Sequence, residues 1–138
     1  MKWIYSIGIF LWMISCFVNP KKESKLISIE KTPCKLECPT YVITINKDKT
    51  VHYKGIKNVS FIGEKEFSLT ESQFQELESK LADFSFEKYS SSYGGTYTDV
   101  PSILITTPVK TIKLVRKKGP MELYKLVEFI ENQYIPKK

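Results

Sequence analysis

Histidine and arginine are almost missing from this chain: among 138 residues there is one of each, His52 and Arg116. The remaining cations are lysine, so the formal charge of +6 does not carry the arginine content on which base and phosphate recognition depends, and no nucleic-acid partner is expected. No Gly-x-Ser-x-Gly motif is present to build a nucleophile elbow. A Ser-His-Asp arrangement would have to enlist His52 and Asp99 with a loop serine. Phosphate-cradling glycine signatures are also missing, since Gly94-Gly95 lies in a Ser/Tyr stretch without strand-to-helix context. There is no Cys-x-x-Cys redox motif, no paired Cys-x-x-Cys zinc motif and no internal repeat. The 42% hydrophobic and 26% charged content excludes collagen, coiled-coil and wholly disordered chains and fits one globular domain.

Residues 3 to 18 are almost continuously apolar, after Met1-Lys2 and before the abruptly polar Asn19-Pro-Lys-Lys-Glu23. That is the charged-then-apolar layout of an export signal. The run is short for a permanent span, which needs roughly 20 apolar residues. Within it, Met13-Ile-Ser-Cys16 resembles the bacterial lipobox, with Met13 where Leu is usual. The resemblance implies cleavage after residue 15 and acylation of Cys16, and two or three chains would make a stable membrane anchor where one is marginal. Residues 16 to 25 then form the lipidated cysteine and a polar tether, in which Lys21, Lys22 and Lys25 can rest against anionic headgroups. The expected address is the bacterial cell envelope, facing the periplasm.

From residue 26 to 138 a single domain is expected, with a hydrophobic period mostly of two. Leu26–Lys31, Tyr41–Ile45 and Val51–Lys54 read as strands, with Val59, Phe61 and Phe67 continuing the sheet and His52 facing outward. Thr70-Glu-Ser-Gln73 is a capping-box pattern opening a helix with Phe74, Leu77 and Leu81 on one face. Ser90–Asp99 reads as a long polar loop, and Ser102–Thr106 and Thr111–Val115 as a hairpin. Pro120 fits the first turn of a last helix carrying Leu123, Leu126, Val127, Ile130 and Tyr134. The expected fold is α+β: an antiparallel sheet of five to six strands with two helices on one face, in the order β-β-β-β-α-β-β-α.

Several residues accompany that order: Cys34-Lys-Leu-Glu-Cys38-Pro39-Thr40-Tyr41, the Tyr53-Lys-Gly55 return, Tyr89, Asp99-Val-Pro101 and Pro120. Together they resemble the DUF6438 family of small bacterial, often lipoprotein-type domains, over residues 26 to 134. The family pattern often has Gly between the cysteines and an Asp-Gly turn between the next strands, where this chain has Lys35-Leu-Glu37 and Asp48-Lys49. The resemblance implies a fold and no activity.

Cys34 and Cys38 are the sharpest local feature. In an oxidising compartment they form a structural disulfide if a bend ending at Pro39 brings their α-carbons within about 4.4 to 6.8 Å. They can also stay as buried thiols or serve a redox or metal role. Cys-x-x-x-Cys-Pro resembles the copper motif of Sco-type assembly proteins, and His52 would be the third soft-metal ligand. Against that role, the motif leads here into a strand instead of a helix. Glu64, Glu66, Glu71, Glu76 and Glu78 fall where turns and a solvated helix face put carboxylates, and no spacing fixes a catalytic pair among them. Tyr93, Tyr97 and Asp99 offer a contact surface with rigid aromatic area. Arg116-Lys-Lys-Gly119 reads as a solvated basic turn. The functional expectation is a noncatalytic binding or envelope-structural module without cofactor or metal. Its partners would be membrane lipid, through Cys16, and an envelope protein or ligand; a thiol-dependent copper or redox protein is the alternative.

Overall fold

The computed structural model describes residues 24–97 and 99–137. Four strands come first: β1 (Lys25–Lys31), β2 (Thr40–Asn46), β3 (Thr50–Lys57) and β4 (Gly63–Ser68). Helix α1 (Glu71–Ala82), strands β5 (Ser92–Tyr93), β6 (Ser102–Thr106) and β7 (Thr111–Val115), and helix α2 (Met121–Tyr134) follow. They build a mixed α+β domain on a seven-stranded sheet of order β4-β3-β2-β1-β6-β7-β5.

The sheet is larger than the expected five to six strands, and it is not wholly antiparallel. Two residues of the polar loop, Ser92 and Tyr93, pair in parallel with Lys113 and Leu114 at the outer edge of β7. The order is therefore β-β-β-β-α-β-β-β-α. The reason is backbone satisfaction: an unpaired edge presents N–H and C=O groups that a passing segment can use. The loop comes close enough to do so because of Gly94, where an added β-carbon would lie 2.4 Å from the Val115 carbonyl oxygen. Val59 and Phe61 belong to the turn before β4, where both pack on the core edge. Pro120 is the N-cap of α2, one position earlier than expected.

Alternation within the strands places Ile27, Ile29, Tyr41, Ile43, Ile45, Val51, Tyr53, Ile105, Ile112 and Leu114 on one face. These join Phe74 and Leu77 of α1 and Leu123, Leu126, Val127, Ile130 and Tyr134 of α2 in one buried cluster. The capping box of α1 is complete: the Gln73 amide donates to Thr70 Oγ1, and the Thr70 amide donates to the Gln73 side chain.

Register gives the sheet two distinguishable ends. At the proximal end the chain enters at Lys25, opposite Asn46, and the β2–β3 turn, Ser68 and the β6–β7 turn lie alongside. At the distal end Lys31 faces both Tyr41 and Ile103, Thr40 faces Lys57, and Gly55 faces Gly63. The Cys34–Cys38 loop, the 94–101 loop and the β7–α2 turn all emerge there.

Candidate functional site

Between the ends of β1, β6 and β7 and the first turn of α2 lies a cleft of about 250 Å³. Its floor is apolar, made by Ile103, Leu114, Pro39, Pro101 and Tyr124, and Lys31, Arg116 and Lys117 stand over it. A neighbouring hollow adds Gly119 and the exposed side chain of Met121. A third, lined by Lys35, Tyr97, Asp99 and Arg116, continues the depression across the loop.

One wall is the disulfide loop. Cys34 and Cys38 are bonded, with α-carbons 5.8 Å apart. Asn58 ties that loop to the β3–β4 turn by donating to the Cys38 carbonyl at 3.3 Å. The opposite wall is the β7–α2 turn, where the Lys118 amide donates to the Val115 carbonyl at 3.0 Å. Its two central residues, Arg116 and Lys117, have φ of 53° and 56°. That geometry belongs to turns usually built from Asn and Gly, and a β-carbon there costs of order 1 to 2 kcal/mol per residue. Three contacts hold it: Arg116 stacks its guanidinium 4.5 Å from the Tyr97 ring centroid, Tyr124 donates its hydroxyl to the Lys118 carbonyl at 2.8 Å, and Gly119 lets the turn lie on Tyr93. Burial pushes the Tyr124 hydroxyl above its ordinary pKa, which keeps the proton it donates.

The polar groups of the floor are spent on one another. The Ser102 amide donates to Thr32 Oγ1 at 2.9 Å, the Thr32 amide donates to the Ser102 carbonyl at 3.0 Å, and the Ser102 hydroxyl donates to Val100. Lys31 is paired with Glu131, which also accepts the Tyr41 hydroxyl at 2.6 Å. Arg116, Lys117 and Lys35 have no carboxylate within ion-pair distance among the described residues.

A second depression lies on the sheet face opposite the helices, lined by Val42, Thr44, His52, Lys54, Glu64 and Glu66. Its carboxylates already have partners: Lys54 lies 2.8 Å from Glu64, and His52 Nδ1 lies 3.1 Å from Glu66.

Of the residues singled out in the sequence, Cys38, Tyr97 and Asp99 converge on the distal depression. Tyr93 is half-buried beneath it and accepts the Ser90 amide at its hydroxyl. His52 stands apart, opposite Thr44 in the middle of the sheet, and among the described residues no three His, Cys, Asp or Glu side chains group as metal ligands. The basic turn is exposed along residues 116–119, as expected, and its Arg116 and Lys117 also line the cleft. Lys31, Tyr124 and Met121 were not legible as site residues, because each carries only the ordinary signal of a strand end or helix turn. Cys16, the leader and tether lysines 21 and 22 lie outside the described residues. No helix among the described residues is long and apolar enough to cross a membrane.

Residues 25–134 match the family model of the domain of unknown function DUF6438. The chain belongs to the DUF6438 family. The matched span runs from the first residue of β1 to the last of α2, so it takes in the whole sheet-and-helix body of this chain, with its disulfide loop and basic turn. No curated protein and no solved structure matches this DUF6438 chain.

Proposed function

We propose that this DUF6438 protein is a noncatalytic binding module of the bacterial cell envelope, anchored through acyl chains on Cys16 and meeting its partner through the distal cleft. The observation that carries the binding role is the convergence of three separate chain segments on one apolar hollow beside Arg116 and Lys117, which have no ion-pair partner among the described residues. Such concave sites with a few fixed polar groups are where ligands settle. The chemistry nearby supports binding over catalysis. Tyr41, the hydroxyl in contact with Glu131, has its pKa driven far up, first by burial and then by its hydrogen bond to that carboxylate. It therefore holds its proton and serves as a structural donor, not a general base.

The envelope address rests on the lipobox-like Met13-Ile-Ser-Cys16 and the polar stretch after it. Metabolic labelling with a palmitate analogue tests it: label is expected on the native protein and absent from Cys16→Ala. Label persisting on Cys16→Ala, or recovery of the unprocessed chain from cytosol, overturns the anchor. The binding role is tested by crosslinking in intact envelope, where Tyr97→Ala is expected to lose a partner that the native protein retains. Equal recovery removes the case for the cleft.

A further inference from the structure

We infer that the distal cleft binds an acidic segment of a partner protein. In this assignment carboxylates engage Arg116 and Lys117, and a neighbouring aliphatic or aromatic side chain lies on the floor made by Ile103, Pro39 and Tyr124. This deepens the binding-module reading and rests on it.

Charge complementarity is the first argument. Of the three cations that line the cleft, Lys31 is paired with Glu131, whereas Arg116 and Lys117 have no carboxylate within ion-pair distance among the described residues and leave the rim with net positive charge. A ligand's carboxylates complement that charge, and the planar guanidinium of Arg116 can take one in bidentate fashion. The floor makes the second argument. Thr32 and Ser102 already satisfy each other, so the occupant's inner part is apolar.

The strained turn is the third. Asn-Gly would fit the positive φ values of Arg116 and Lys117 at lower cost, yet the chain holds two long cations there with three separate contacts. Stability alone does not ask for those residue types; an anionic ligand does.

Position separates a protein segment from the anchoring bilayer. Eight residues lie between Cys16 and Lys25, a reach of at most about 28 Å. Lys25 is at the proximal end, and the seven residues of β1 span about 23 Å to the distal one. The attachment point is thus at the end of the sheet opposite the cleft, which leaves the cleft able to face away from the membrane. Apart from Val109, the exposed large apolar side chains Leu36, Ile56, Ile62, Tyr97 and Met121 belong to segments at that far end.

The test uses the full chain in a neutral detergent and three probes: a short peptide alternating Glu with Leu, its Gln counterpart, and phosphatidylglycerol vesicles. The acidic peptide is expected to bind saturably, at least about tenfold tighter than the Gln peptide, and to weaken as salt is raised. Arg116→Asn/Lys117→Gly is expected to unfold at no lower temperature than the native protein while losing about tenfold or more in affinity. Lys117→Glu, which reverses the charge and leaves the backbone demand in place, is expected to lose binding similarly. Equal affinity for the two peptides, undiminished affinity in both variants, or binding to the vesicles in place of the peptide overturns the inference. Because detergent replaces the membrane, peptide binding by a chain that takes up no palmitate would sink the anchor and leave the cleft assignment standing.

Discussion

Glu131 collects two donors from the sheet, the ammonium of Lys31 and the hydroxyl of Tyr41, and so ties the last turn of α2 to β1 and β2. Neither contact could be read from spacing, because the partners are about a hundred residues apart in the chain. Tyr41→Phe keeps the ring and deletes a hydrogen bond to a charged group, so urea unfolding is expected to show a loss of about 1.5 to 3 kcal/mol. The buried tyrosines also set an alkaline limit. Burial raises both Tyr41 and Tyr134, and Tyr134, whose hydroxyl donates to the Gln73 carbonyl, is pushed up to about 12. A tyrosine raised in the folded state holds its proton where the unfolded chain has begun to lose it. Its stabilisation is therefore complete below about pH 10, the unfolded value, and declines as pH rises toward the folded one. Urea midpoints are expected to hold steady from neutral pH to about pH 9 and to fall above about pH 10, less steeply in Tyr134→Phe. A midpoint unchanged across that range would contradict this account of the buried hydroxyls.

Among the elements, α1 was the most legible, because its signals are local. The capping box and the Phe74/Leu77 stripe act within a few residues, so the fold had little opportunity to override them. Thr70→Ala removes the acceptor for the Gln73 amide and is expected to cost about 1 kcal/mol, within a range of 0.5 to 2, in chemical denaturation. The β2–β3 turn shows a partial reading. Lys49 takes a φ of 71°, a conformation that favours glycine, and its ammonium pairs with Glu71 at the start of α1. Strand β5 was not legible. Two residues cannot display a period of two, and their pairing depends on β7, about twenty residues later. The site divides in the same way. Cys34, Cys38, Tyr97 and Asp99 stand out by residue type, but the role of Arg116 and Lys117 depends on a backbone conformation that their side chains disfavour.

For the molecule as a whole, the two ends of the sheet define an orientation. On the proposed anchoring through Cys16, a fluorophore on Val109→Cys, in the proximal β6–β7 turn, is expected in vesicles to be quenched by headgroup quenchers more than one on Met121→Cys at the cleft. The reverse order would mean that the cleft faces the bilayer. By itself the sequence determined the strands of alternating polarity, the two one-faced helices and the family, because each is written in neighbouring residues or in a motif of fixed spacing. Only the tertiary structure decided that the sheet has seven strands, that Glu131 clasps β1 and β2, and that the disulfide loop, the tyrosine loop and the basic turn share one cleft. Those outcomes come from long-range pairing and from unsatisfied backbone and charge finding partners across the fold, which no local pattern records.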